Sequence, residues 1–449
     1  MKKKIILIII SVALIIFVGT NLIIALNNKN KTSSISSSDE KASTVSDKYK
    51  DTDYGSTKEF TGTTITSGGT YDITGNVEGI VINTEDNVKL NLTDATISND
   101  NGPAIYVENA KVVNIVVTGE NKISSTTTEE LDGAIYSTDD LIISGEGTLT
   151  ITSNYDGIVS KDTLVIDGGT YKINSSDDGI RGKDYVAIVN GTFEINAKGD
   201  GIKSTNDTDT SLGYITIDNG EFSITSVNDG IEAETNLVIN GGDFTIKTTG
   251  TGTDVSAKGL KANNLLELNG GTYNLNTTDD AIHSNTNVKI TNGTYTITSK
   301  DDGIHADGLV EISDGTFEIN ASEGIEATYV KIDGGTITIN ATDDGINAAS
   351  KSTAYNVLVE INGGNITINM SQGDTDGIDS NGDIIINGGT TNINGQFAFD
   401  YDGTASLNGG TVICNGSKIS QIQNSMMGGN PGAQQGGQYP GGRGNKRMR

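Results

Sequence analysis

A 22-residue unit, first clear at Asp178 and returning until about Gly410, limits this chain more than any other feature. One copy, residues 177–199, reads DDGIRGKDYVAIVNGTFEINAKG, and another, residues 301–323, reads DDGIHADGLVEISDGTFEINASE. The glycine of a D-G-I signature falls at Gly157, Gly179, Gly201, Gly230, Gly259, Gly303, Gly324, Gly345 and Gly377, with Ala281 in its place once. A second glycine, the last of an N-G-G-like turn, usually follows 12 residues later, and the next signature glycine 10 residues after that. Longer steps carry their surplus in polar stretches, residues 203–214 and 350–356. Insertions confined to turns are what a stacked repeat predicts.

Each unit holds three short alternating runs of the kind GIxA, LVI and TYxI, too short and too rich in Ile, Val and Thr for helices. Gly, Asn or Asp stands before the last turn glycine, as at Gly168, Asn190 and Asp314, and these residues tolerate a left-handed backbone. Three strands per coil and about 22 residues per coil define an all-β right-handed parallel β-helix. A hexapeptide helix asks for a coil of about 18 residues, and a leucine-rich repeat for spaced leucines, so neither fits. Tyr171, Phe193, Phe222, Phe244, Tyr273, Tyr295 and Phe317 hold one column in consecutive coils, each two residues before an Ile or Leu. Residues two apart on a strand share a face, so this column packs inside the coil and is not a sugar-stacking platform.

The formal charge of −28 disfavours nucleic acid, and also an acidic polymer unless a cation lies between. A single cysteine, Cys414, excludes an internal disulfide framework and a cysteine metal cluster. Two histidines and no tryptophan disfavour a zinc site and a tryptophan-based cellulose platform. An apolar fraction of 34% suffices because each coil fills only a narrow lumen. About thirteen to fifteen coils, about 4.8 Å apart, are expected.

Four segments follow. Residues 1–26 begin with Lys2, Lys3 and Lys4 and continue as an almost wholly apolar run, long enough to cross a bilayer. The lysines stay inside, so the remainder is exported, and an uncleaved signal-anchor is the expectation. Residues 27–58 are Ser-, Thr- and Lys-rich and read as a disordered linker. Residues 59–420 are the β-helix, with irregular, capping coils at its start. Residues 421–449 form a Gly-rich, basic, disordered tail.

Chemistry has two candidate places. Before the first strand of each coil stand Asp156, Asp177, Asp178, Asp200, Asp229, Asp279, Asp280, Asp301, Asp302, Glu323, Asp343 and Asp344. A constant period stacks them one coil apart, where carboxylates repel unless something neutralises them. Calcium suits such an all-oxygen edge; ordinary Asp-Gly turn chemistry is the plainer alternative. Ala257 and Lys258 interrupt the file, which predicts two clusters. The second place is the residue after each signature Ile or Leu, including Arg181, Lys203, Glu232, Lys261, His283, His305, Glu326 and Asn347. Alternation turns this column outward, either as a solvated face or as a groove for an extended sugar chain. The insertions at 203–214 and 350–356 would wall it, and Tyr136, Tyr155, Tyr214 and Tyr355 would add stacking.

The units D-D-G-I-H-A (residues 301–306) and N-G-G-T-Y-N-L-N (residues 269–276) resemble those of the clostridial carbohydrate-binding β-helix family, whose founding type binds cellulose and polygalacturonate. The likeness covers about residues 60–420 and implies a pectate-lyase-like fold, an exported binding role, and calcium at Asp177, Asp178, Asp301, Asp302, Asp343 and Asp344. The long anchor-like N-terminus and basic tail depart from it. The expectation is therefore a calcium-dependent polysaccharide-binding protein on the cell surface, without enzyme activity. One alternative is a calcium-dependent polysaccharide lyase with Arg181 or Lys203 as base. Another is a structural adhesin. A polygalacturonase is disfavoured, because TDGID at residues 375–379 lacks that family's following histidine and arginine-lysine motifs.

Overall fold

The computed structural model describes residues 41–425 apart from 253, 254 and 374. They form a parallel β-solenoid of about 16 turns with about 22 residues per turn, slightly more than expected because the irregular coils before residue 130 are complete. One coil shows the plan. A short first strand, Ile180–Gly182, is followed by Tyr185–Ala197, which contains the second and third strands in one run. In the next coil the same three pieces are separate: Ile202–Ser204, Tyr214–Ile217 and Glu221–Ser226. Every strand pairs in parallel with its equivalents one coil away, Ile180 with Ile202 and Phe193 with Phe222. The exception is the last hairpin, where Ser417–Ile419 runs antiparallel to Thr411–Cys414.

Alternation decides which side chains fill the lumen. Ile180, Ile188, Phe193 and Ile195 point inward and are at most 1% exposed. The aromatic column is a continuous stack from Tyr171 to Phe317, with centroid separations between 4.5 and 5.0 Å and rings within 8° of parallel. These rings are buried core, as their spacing predicts.

The two glycine landmarks serve different physical ends. The turn glycines take positive φ, as at Gly191 (146°) and Gly271 (103°), whereas of the residues before them only Gly168 does so. The left-handed step therefore sits one position later than the Gly/Asn/Asp preference suggests. The signature glycines answer to crowding. A Cβ on Gly179 would lie 2.5 Å from the carbonyl oxygen of Gly201 and 2.5 Å from an Ile195 methyl.

Residues 41–58 are not the disordered spacer their composition predicts. Helix α1, Ala42–Asp47, lies against outward-facing Val112, Ile142, Val165, Tyr185 and Ala187, burying Ala42 and Val45. Its first amides, of Ala42 and Ser43, donate to the two carboxylate oxygens of Asp218 at 3.2 and 2.8 Å. Tyr49 donates to Asp140 at 2.9 Å. The landing patch is assembled from several coils and exists only once they are stacked. Residues 421–425, assigned to the tail, also pack on the last coil: Ile422 is buried, and the Ser425 amide donates to the Phe399 carbonyl. The expected membrane span at residues 5–26 and the tail from residue 426 lie outside the described residues. Among the described residues no helix is long and apolar enough to cross a membrane.

Candidate functional site

The acidic positions do stack, but only in part. In each D-D dyad the second aspartate turns in and the first turns out. Asp178, Asp280 and Asp302 are buried, whereas Asp177, Asp301 and Asp343 are exposed, with Asp279 and Asp344 between. Asp156, Asp200 and Asp229 belong to the inner file at 1–2% exposure. One oxygen of five of these inner carboxylates accepts the main-chain amide of the next coil. Asp156 takes the amide of Asp178 (2.9 Å), Asp178 that of Asp200 (2.7 Å), and Asp200 that of Asp229 (2.8 Å). Asp229 takes that of Lys258 (2.7 Å) and Asp280 that of Asp302 (3.0 Å). These bonds satisfy turn amides that the strands leave unpaired, the physical reason for Asp at this position.

The other oxygen meets a cation supplied by the chain itself. Arg181 bridges Asp156 (2.6 Å) and Asp132 (2.5 Å). Lys203 joins Asp200 (2.6 Å) to Glu232 (2.8 Å), and Lys261 joins Asp229 (3.1 Å) to Glu232 (2.5 Å). Lys258 occupies the aspartate position of its coil and reaches Asp279 at 2.5 Å. His283 and His305 bond Asp280 and Asp302, each at 2.7 Å through Nδ1. Glu326 accepts from Lys351 at 2.7 Å, while Asn347 donates to Glu323 at 2.9 Å.

The two expected sites are therefore one: the column after the signature Ile supplies the counter-ions of the acidic file. This corrects one expectation. The column is not an open surface, because pairing draws it along the wall, and Glu232, His305, Glu326 and Asn347 are buried. At Asp156, Asp178, Asp200 and Asp229 the chain itself supplies positive charge through Arg181, Lys203 and Lys261, while Asp156, Asp177 and Asp178, and likewise Asp200, Asp229 and Glu232, each bring three carboxylate oxygens within 4.8 Å of one another. Of the four tyrosines, Tyr136 is buried, Tyr214 stacks on Tyr185 at 6.0 Å and Tyr355 packs on Tyr329 at 6.2 Å, while Tyr155 is half-buried. The insertion at 350–356 sends Lys351 back onto the edge instead of walling a groove. Asp132 and Lys351 escaped the sequence reading; the D-G-A-I at residues 132–135, a variant signature, was the trace of the first.

Electrostatics follow the pairing. Burial pushes Asp156 up to about 7 despite Arg181, and burial together with Asp178 pushes Asp200 up to about 7. Burial opposes charge on Arg181 and on Lys203, yet their carboxylate partners raise both above the ordinary range. A lyase base must give up its proton, so this direction argues against Arg181 and Lys203 in that role. His305 is raised to about 10 by Asp302, Glu326 and Asp280, against the effect of burial. Toward the last coils the pattern changes. Asp379 lies in register with Asn347 and Asp400, and burial together with Asp344, Asp400 and Asp376 pushes it up to about 7.

A second concave surface runs over the turn glycines: a polar groove of about 450 Å³ whose lining includes Asp167, Asn190, Asn219 and Glu221.

A parallel β-helix with one straight, charged edge is the class of protein these features define. A family model described as carbohydrate-binding domain-containing protein matches residues 61–303 and 286–420, and the chain belongs to that family. Among solved structures, the polysaccharide lyase-like protein from C. thermocellum is similar, with 28% identity over 46% of this chain and 86% of that chain, at a TM-score of 0.41. No curated protein matches.

Proposed function

We infer that this chain is an exported, cell-surface protein that binds an extended polysaccharide along the edge formed by the first strands. Membership of the carbohydrate-binding family supports the ligand class. The observation that carries the placement is a line of fixed, half-open cations: the side chains of Arg181, Lys203, Lys261 and Lys351 keep 15%, 28%, 17% and 29% of their surface exposed. An ammonium has three donors, and the ion pairs of Lys203 use two, so one is left for a sugar hydroxyl or uronate. Export and anchoring rest on the apolar run at residues 5–26.

Calcium enters this reading at the far end of the edge. Asp379 pairs in register with Asp400, and burial together with the charges of Asp344, Asp400 and Asp376 raises it, a repulsion that a divalent ion would relieve. When bound there, calcium would supply positive charge for an acidic sugar where Lys and Arg give out along the edge.

Pull-down on insoluble cellulose and mobility shift in a polygalacturonate gel, each with calcium and with chelator, test the function. Binding of either polymer that weakens in Lys203→Gln supports the edge. Binding lost instead in Asn190→Ala moves the site to the glycine-floored groove. Retention of neither polymer leaves a structural adhesin, and release of unsaturated, ultraviolet-absorbing product makes the protein a lyase.

A further inference from the structure

The two histidines of the chain fall on successive coils at one register position, His283 opposite His305. Their rings stack with centroids 4.8 Å apart and planes 24° from parallel. The Nδ1 edge of each meets a carboxylate oxygen at 2.7 Å, from Asp280 and Asp302, and His305 Nδ1 lies 3.2 Å from Glu326. One ligand atom each from Asp280, His283 and His305 lies within 4.8 Å of the others, and the same holds for Asp302, His305 and Glu326. Asp280, Asp302 and Glu326 are 4–7% exposed and His305 is 9% exposed.

We propose that His283, His305, Asp280 and Asp302 form a binding site for one borderline divalent transition ion of the zinc class, separate from any all-oxygen calcium site. In the preceding coils the equivalent positions are Arg181, Lys203, Glu232 and Lys261, none of which brings an imidazole nitrogen. Only here does the column offer nitrogen lone pairs, and it offers two of them side by side. One divalent ion on the Nδ1 side would take both rings and Asp280, whose ligand atoms lie within 4.8 Å of one another, with the Asp302 carboxylate against His305 completing a two-nitrogen, two-oxygen set, the donor mixture zinc, cobalt and nickel accept.

The surroundings hold the ligands in place. Asp280 is oriented through its other oxygen by the Asp302 amide, leaving Oδ2 for the metal. His283 Nε2 is fixed by Asn285 at 2.8 Å and His305 Nε2 faces Asp307 at 3.5 Å, the outer-shell contacts that fix ring orientation. The nearest competing cation, Lys258, contacts Asp280 only at 3.6 Å and is held by Asp279. Lys351 engages Glu326, so Glu326 flanks the ion without being one of its four ligands. The histidines do not exclude zinc by their scarcity, as composition suggested. Stacking makes two of them sufficient.

Calorimetry with zinc chloride tests the site on the full chain, purified without a histidine tag, treated with chelator and then held in excess calcium. One zinc per chain is expected, with affinity falling at least about tenfold in His283→Gln and again in His305→Gln. The same variants must keep the wild-type circular dichroism, and X-ray absorption of the zinc complex must show imidazole nitrogen in the first shell. Absence of zinc binding, or binding retained in the double variant, overturns the proposal.

Discussion

The guanidinium of Arg181 contacts Asp132, which lies 49 residues earlier in the chain, at 2.5 Å, and Asp156 between them at 2.6 Å. One side chain thus ties three successive coils along the acidic edge. Arg181 is also the only arginine among the described residues.

Arg181→Gln is therefore expected to strand two carboxylates, one of them almost fully buried. Removing one member of a buried pair costs about 3–5 kcal/mol. Urea denaturation should show that loss for Arg181→Gln, and a smaller one for Asp132→Asn, whose side chain is more exposed.

Truncation of the aromatic stack acts on both neighbours at once. Phe222 is stacked at 4.7 Å on Phe193 and 4.6 Å on Phe244. Phe222→Ala should cost about 3–5 kcal/mol. In a solenoid the damage spreads only to adjoining coils, so hydrogen exchange should accelerate around residues 193–244 before it does elsewhere.

The strap at residues 41–54 is expected to respond to acid. Burial pushes Asp218 up, but hydrogen bonds from Ser43, Asn240 and Ala42 outweigh it and hold the carboxyl below the ordinary range. A folded value below the unfolded one, about 3.9, means the bond contributes fully above that pH. The contribution is lost as pH falls through the lower, folded value. Amide exchange of residues 42–49 should therefore quicken as pH drops below about 4 relative to that of the core strands, after correction for intrinsic rates. At neutral pH, Asp218→Ala should loosen the same segment by about 0.5–2 kcal/mol.

Calcium should raise the melting temperature of the protein, and Asp379→Asn with Asp400→Asn should abolish the rise. Calcium at a hundred times its dissociation constant stabilises by about 2.7 kcal/mol. Lys203→Gln should leave that response intact, since it lies on a part of the edge already neutralised by the chain. An unchanged melting temperature between calcium and chelator would remove the ion from the proposed function.

The period made the coil, the inward aromatics and the acid stacking legible, because each depends only on position within a repeat. Which cation serves which acid was not legible. Column membership says on which coil Arg181 sits, but not that its long side chain leans back toward Asp132. Lys351 comes from an insertion whose path no repeat dictates. Two apolar positions in α1, Ala42 and Val45, are too few to announce a docked helix. Their partners Val112, Ile142, Val165 and Ala187 look like unremarkable outward residues until their coils are laid side by side. The site divided for the same reason: the sequence separated two columns that side-chain length joins.

The reversal of direction at Ser417–Ile419 has its own consequence. A parallel stack whose top rung ran the usual way would present a row of amides and carbonyls ready to template another molecule's first coil. The backward strand occupies that row along Val412–Cys414 and breaks the register there, so head-to-tail templating on this strand is blocked. Trimming the chain after Cys414 should increase self-association relative to the full chain, a change visible by light scattering.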